Sequence, residues 1–149
     1  FQKNGAAKVH PMNHGGKWKF SFGTAKFVSA VHSSSMPDGT YGGNPGGFVI
    51  ESSEGNFYYS GDTALTLDMQ LIPITCSKLN VALLPVGDNF TMGIDDAIIA
   101  SDFVKCNKII GLHFDTFGYI KINHEEAKQK FANKGKELLL LKIGETINV

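Results

Sequence analysis

Asn56-Phe57-Tyr58-Tyr59-Ser60-Gly61-Asp62-Thr63 is a run of strand-forming residues that stops at a glycine and delivers a carboxylate. Aromatic residues favour a pleated, half-buried backbone, and the glycine lets the chain turn sharply where the run ends. Asp62 is therefore expected at a sheet edge, facing a cleft rather than the core. Alone, the tripeptide Gly61-Asp62-Thr63 is also compatible with a turn acid bonded to its own backbone. Its meaning depends on where the neighbouring strands end.

Just upstream, Phe48-Val49-Ile50-Glu51 is a second strand signal, and a short turn around Ser53, Glu54 and Gly55 joins the two as a hairpin. Earlier, Trp18-Lys19-Phe20-Ser21-Phe22 alternates large apolar with small or charged residues; after a break at Gly23-Thr24, residues 25–31 continue as a strand ending at His32. These segments form another hairpin. Between the hairpins lie Ser33-Ser34-Ser35 and a loop through Pro37, Gly39, Gly42, Gly43, Asn44, Pro45, Gly46 and Gly47, too rich in breakers for regular structure. Residues 7–10 are expected as a short strand, residues 13–16 as a turn, and Phe1-Gln2-Lys3-Asn4-Gly5 as the last turn of a helix with a glycine cap.

Downstream of Asp62 the pattern lengthens. Residues 65–74 have mixed apolar spacing and are expected as a short helix with a ragged end at Pro73. Val81-Ala82-Leu83-Leu84-Pro85-Val86 is a near-continuous apolar run, as in strands buried on both faces, and stops at Gly87-Asp88-Asn89. Residues 93–104 place Ile94, Ala97, Ile98, Ala100 and Phe103 at helical spacing, with Asp95 and Asp96 at the positive end of the helix dipole. Lys108-Ile109-Ile110-Gly111-Leu112 is another buried strand, ending at His113, and Asn123 caps a helix from His124 to about Asn133 that Gly135 stops. Residues 137–141 and 143–149 close the chain as strands. Two hairpins followed by alternating strands and helices define the fold class as α/β.

The length fits a single domain. Fourteen basic residues balance fourteen acidic ones without blocks of like charge, which argues against nucleic-acid or anionic-membrane partners and favours a small-molecule substrate. No apolar run approaches the roughly 20 residues that span a bilayer, and no secretory leader pattern occurs. Cys76 and Cys106 form no Cys-x-x-Cys pair and read as free thiols in a reducing compartment, the cytoplasm.

Three strands thus terminate in groups that bind metal or move protons: His32, Asp62 and His113. Two imidazoles and a carboxylate match the three protein ligands of a catalytic zinc, which leave a fourth position for a water whose pKa falls to roughly 7, a source of hydroxide. Other chemistries fit less well. Ser33, Ser34 and Ser35 lie in no Gly-x-Ser-x-Gly elbow and read as hydroxyls that orient the loop after His32. Asp62-Thr63 and Asp115-Thr116 fail as halves of a carboxyl dyad, because Ala64 and Phe117 stand where a tight catalytic loop needs glycine. His10, His14 and His124 read as bystanders, and Asp115 as a loop capper with some share in substrate contact.

His32-Ser33-Ser34-Ser35, Gly43-Asn44-Pro45-Gly46-Gly47, Tyr59-Ser60-Gly61-Asp62-Thr63, the run from Pro85 to Gly93 and the run from Gly111 to Phe117 resemble, in that order, the later motifs of the metallo-β-lactamase superfamily. The likeness is strongest to small metal-dependent hydrolases grouped with L-ascorbate-6-phosphate lactonase. This resemblance implies an αββα sandwich with two divalent metals, zinc first and manganese as the alternative. It implies His32 as a ligand of the first metal, Asp62 as the catalytic carboxylate bridging both, His113 as a ligand of the second, and Asn89, Thr91 and Asp115 on the substrate side. The superfamily's His-x-His-x-Asp-His motif is absent from the sequence. Residues 1–149 are accordingly expected to be the C-terminal part of one hydrolase domain whose N-terminal portion carries that motif. The expected activity is hydrolysis of a small ester, lactone or phosphoester, weak or absent in this piece. Bare sheet edges and faces are expected to drive homo-oligomerisation or association with the missing portion. The alternative is a non-catalytic ligand-binding or assembly module with a hydrolase-like fold. The loops at 35–47 and 115–122 are where specificity is expected.

Overall fold

The computed structural model describes residues 5–149, so the expected helix turn before Gly5 lies outside the described residues. Seven strands, β1 (Lys17–Phe20), β2 (Gly23–Ser29), β3 (Gly46–Ser52), β4 (Gly55–Tyr59), β5 (Val81–Pro85), β6 (Lys108–Leu112) and β7 (Glu137–Leu139), form one sheet in chain order. The pairs from β1 to β4 are antiparallel and those from β4 to β7 parallel. Parallel neighbours need crossovers, and these carry α1 (Ile72–Thr75), α2 (Ile94–Phe103) and α3 (His124–Ala132).

Several elements depart from expectation, each for a local reason. The first hairpin turns at Ser21-Phe22, not at Gly23-Thr24, which pair into β2. β2 stops at Ser29, so His32 hangs from a loop rather than a strand end. Residues 65–74 are not one helix: a 3₁₀ turn, Leu67–Leu71, capped by the Thr66 side chain accepting from the Asp68 N–H, passes into α1. Pro73 lies in the first turn of α1, where its missing N–H leaves no helical bond unmade, so it opens that helix instead of ending one. Residues 143–149 form no strand: a turn at Ile143-Gly144 carries them away from β7, which stays the last strand of the sheet, and Ile143 is 96% exposed. Residues 7–10 are also not a strand; the His10 ring instead stacks on Trp18 at 4.5 Å.

The sheet has two apolar faces and helices on only one. Val49, Tyr58, Ala82, Leu84, Ile109 and Leu138 point to the helical side and pack with Met69, Ile72, Ala97, Val104 and Phe131 in the buried core. On the opposite face the register Trp18↔Ala25↔Ile50↔Phe57 and Phe48↔Tyr59 lines up the alternate residues. There Trp18, Phe48, Phe57 and Tyr59 remain 52%, 37%, 37% and 41% exposed. No helix of the described residues is long and apolar enough to cross a membrane, and both cysteines are free thiols.

A charged tie fastens the edge hairpin to the helical layer. Glu51 on β3 accepts the Ser77 N–H at 2.6 Å through Oε1 and pairs with Lys17 of β1 through Oε2. Desolvation pushes its carboxyl up, but the Lys17 bond and the Ser77 N–H together hold it down to about 2. Because the folded pKa is depressed, the stabilisation is complete above the ordinary carboxyl range and is lost as pH falls from about 4.5 toward 2. Glu51→Gln is expected to lower stability by on the order of 1 kcal/mol near neutrality, after solvent screening, and to flatten the acid limb. Urea unfolding at pH 6 and pH 3 checks this: a variant with the wild-type slope contradicts it.

Candidate functional site

β2, β4, β5 and β6 run in the same direction, so their C-terminal ends meet at one edge of the sheet. The loops that leave this edge carry His32, Asp62, Asn89 and His113. Ligand sites in open α/β sheets form outside the carboxyl ends of strands, where loop side chains are fixed by the scaffold yet free to meet solvent.

Thr63 fastens three of these loops together. Its buried Oγ1 accepts the Val31 N–H (2.9 Å) and donates to the Ala64 carbonyl (2.8 Å), while its own carbonyl accepts from Met92 N (3.0 Å). Ala64 N–H also donates to the Val31 carbonyl (3.0 Å). The loops after β2, β4 and β5 therefore share one anchor beside Asp62. Gly61 makes the turn possible with φ of 66°, in the left-handed region that glycine adopts without penalty. The fourth loop is set by Gly87, which allows β5 and β6 to close so tightly that a Cβ there would lie 2.0 Å from the His113 carbonyl oxygen.

His113 has φ of 53°, a strained value for a residue with a Cβ. Its Nε2 lies 3.8 Å from Asp62 Oδ2, and its Nδ1 is buried without a hydrogen-bond partner among the described residues. The separation exceeds a hydrogen bond, yet is short enough for both groups to ligate one cation with bonds of about 2.0–2.2 Å. Asp62 is half-exposed. His32 Nδ1 donates to the Ser33 carbonyl at 2.9 Å, which leaves the Nε2 lone pair free, the tautomer that metal-ligating histidines use. His32 and His113 line one open cleft of about 510 Å³ with Val31, Ser33, Asn89, Phe90 and Phe117.

These residues fit a cation only as a partial set. Among the described residues no group of three or more His, Cys, Asp or Glu side chains is close enough to hold one metal ion. His32 comes from a different loop but shares the cleft with His113, and the reading of His32, Asp62 and His113 as metal ligands is a matter for metal titration. The assignment implied by the resemblance, His32 to one metal, His113 to another and Asp62 shared between them, remains the one to test.

The substrate-side residues divide. Asn89 lines the cleft, its left-handed backbone (φ 58°) closed by its N–H donating to Asp88 Oδ1 at 2.7 Å. Thr91 does not line it and bonds weakly to the Met92 carbonyl at 3.4 Å. Asp115 is also off the cleft wall: Oδ1 accepts the Ile122 N–H (3.1 Å) and Oδ2 the His124 Nε2 (2.5 Å). Desolvation raises its carboxyl, but these two bonds and the nearby charges of His124 and Lys121 together outweigh it and hold the pKa below the ordinary range. Asp115 thus closes the loop between β6 and α3, the capping role, with His124 as partner. The other bystanders are structural: His14 Nε2 bonds the Pro45 carbonyl at 2.8 Å, and its ring stacks on Phe27. The roles of Thr63, Val31, Phe90 and Phe117 are not read from the sequence; a hydroxyl directly after the turn carboxylate, and a phenylalanine five residues beyond the end of each of β5 and β6, were the available signals.

A mixed sheet with helices on one face and histidine and aspartate side chains at its carboxyl edge fits the α/β class of the metallo-β-lactamase fold. The chain belongs to the metallo-β-lactamase superfamily: residues 1–114 match the family described as "Beta-lactamase superfamily domain". It is 67% identical over 142 residues to a UPF0173 metal-dependent hydrolase of Christiangramia forsetii, covering 95% of this chain and 62% of that protein. A UPF0173 metal-dependent hydrolase of Thermus thermophilus is 45% identical over 148 residues, 99% of this chain and 65% of that one. Among solved structures, Igni18, a metallo hydrolase from the archaeon Ignicoccus hospitalis, superimposes with a TM-score of 0.84 at 30% identity over 98% of this chain and 62% of its own. An isothiocyanate hydrolase from Delia radicum gut bacteria, at 18% identity and a TM-score of 0.72, shares the fold, covering 99% of this chain and 62% of its own. The chain therefore spans less than two thirds of the length of these relatives.

Proposed function

We propose that this chain supplies one wall of the active site of a metal-dependent hydrolase acting on a small ester-type molecule. The Asp62–His113 pair carries the reading: a half-exposed carboxylate and an imidazole 3.8 Å apart, neither hydrogen-bonded to the other, at the mouth of a cleft. Asp62 and His113 would hold one divalent cation and His32, through its free Nε2, would contribute to a second. Mixed nitrogen and oxygen donors suit zinc first, with manganese as the alternative. When bound, such a cation supplies Lewis acidity and lowers the pKa of water to about 7. The chain's own residues orient the reaction: Thr63 holds the His32 and Asp62 loops in register, and Asn89, which lines the cleft, would hydrogen-bond a substrate carbonyl through its side-chain amide. The remaining ligands would come from the rest of a longer protein.

Zinc titration of the full-length protein tests this. Asp62→Asn and His113→Ala are each expected to weaken binding by at least about 10–100-fold, the loss typical even of residues that only support ligands. Wild-type affinity in both variants overturns the proposal. This chain by itself is expected to bind zinc weakly, and low-nanomolar affinity in the isolated 16.1 kDa chain contradicts a partial set. The uncovered apolar face supports association, with a second copy or with the rest of a longer protein. A monodisperse 16.1 kDa particle in light scattering contradicts that.

A further inference from the structure

The cleft beside His32 and His113 carries an apolar clip and no fixed cation. Phe90, on the loop after β5, and Phe117, on the loop after β6, have ring centroids 5.8 Å apart at 44°. They are 50% and 45% exposed, and Val31 from a third loop is 57% exposed beside them. Large apolar groups left in water on three separate loops around one cleft gain by covering the same ligand.

The rings are held in place, not left to drift. Phe90 follows two residues with left-handed backbone, Asp88 and Asn89 (φ 62° and 58°), and its N–H donates to the Asp88 carbonyl at 2.6 Å while Asp88 N–H donates to Met92 O at 3.1 Å. Phe117 precedes a 3₁₀ turn, Gly118–Ile120, anchored by the fully buried Ile120. Ile120 N–H donates to the Phe117 carbonyl (3.2 Å) and Asp115 N–H to the Ile120 carbonyl (2.9 Å), inside the loop that Asp115 and His124 close. Pinning both loops in advance reduces the ordering entropy of binding.

Charge narrows the ligand further. Among the described residues that line the cleft, only the two histidines are ionisable, and the adjoining Asp62 is an acid. All fourteen basic residues of the sequence are lysines, so this wall of the cleft offers no guanidinium to fork a phosphate. Lys121 and Lys130 line a different cavity, of about 320 Å³, beside α2 and α3.

Resting on the hydrolase reading, we infer that Phe90 and Phe117 clasp the apolar acyl or aryl part of a neutral carboxylic ester or thioester, and disfavour phosphate-bearing substrates. The test uses the full-length protein loaded with zinc, with para-nitrophenyl butyrate and para-nitrophenyl phosphate as substrates. Phe90→Ala and Phe117→Ala are each expected to raise KM for the butyrate roughly tenfold with kcat within about twofold, and Phe117→Leu to stay within about threefold of wild type. The butyrate is expected to have the higher kcat/KM by at least about tenfold. Zinc bound at stoichiometry with the phosphate ester preferred, or with KM unmoved in both alanine variants, overturns the clip and leaves the hydrolase reading standing. No zinc bound and no turnover of either ester overturns both.

Discussion

Gly87→Ala is expected to destabilise the protein by about 1–3 kcal/mol or more and to weaken metal binding in the same variant. A single methyl is enough because of what it meets. The added Cβ would lie 2.0 Å from the His113 carbonyl oxygen and 3.0 Å from Ile120 Cβ, and a backbone carbonyl cannot swing aside as a flexible side chain can. Relief requires the ends of β5 and β6 to part, which strains the Val86 N–H to Leu112 carbonyl bond (3.0 Å), or requires His113 to rotate out of its strained conformation. Either movement pulls the imidazole away from Asp62. Urea unfolding and zinc titration of the full-length variant check both effects. Gly118→Ala is the control: nothing lies within 4 Å of its Cβ, so it should leave both measurements unchanged. Wild-type stability and affinity in Gly87→Ala would show that the two strand ends do not set the site.

Thr63→Val is expected to be the second most damaging change, although it preserves side-chain shape. Valine removes the oxygen that accepts the Val31 N–H at 2.9 Å, in a side chain wholly shielded from water. Leaving a partly buried donor without its partner costs about 1–3 kcal/mol. The consequence for the site is a loss of register between His32, whose loop Thr63 holds, and Asp62, which precedes Thr63 in the turn. Zinc affinity should therefore fall with stability, whereas Thr63→Ser, which keeps the acceptor, should recover most of the affinity. If valine and serine bind zinc alike, the hydroxyl contributes only to packing.

The legible parts of the molecule were those governed by near neighbours in sequence. β6 and α2 follow from apolar runs of the right period, and α3 from Asn123, whose side chain accepts the Glu126 N–H as the cap signature requires. The delivery of Asp62 and His113 to one sheet edge was also readable, since both stand within three residues of a strand end. What was not readable depends on distant partners. β2 ends before His32 because its ladder to β3 stops at Ser29↔Gly46. Residues 143–149 have strand-like composition but do not pair with β7, the edge strand just before them. Asp115 turns from the cleft because His124 and Ile122, seven or more residues later, capture its oxygens. Gly87 and Thr63 look ordinary in a linear reading; their importance comes from atoms brought up by other loops.

The chain-order arrangement of the sheet also shapes how the molecule assembles. Every strand pairs with the strand before it, so no ladder waits for a remote segment, and a chain leaving the ribosome can extend its sheet one strand at a time. The two tight hairpins at the start can close on a microsecond scale. The later parallel strands must each wait for a crossover of their own. During that interval Val81–Pro85 and Lys108–Leu112, the most buried strands of the finished sheet, present bare apolar edges to other copies of the same chain. Misassembly is therefore concentrated in the interval when the strands that carry Asn89 and His113 to the cleft are being laid down.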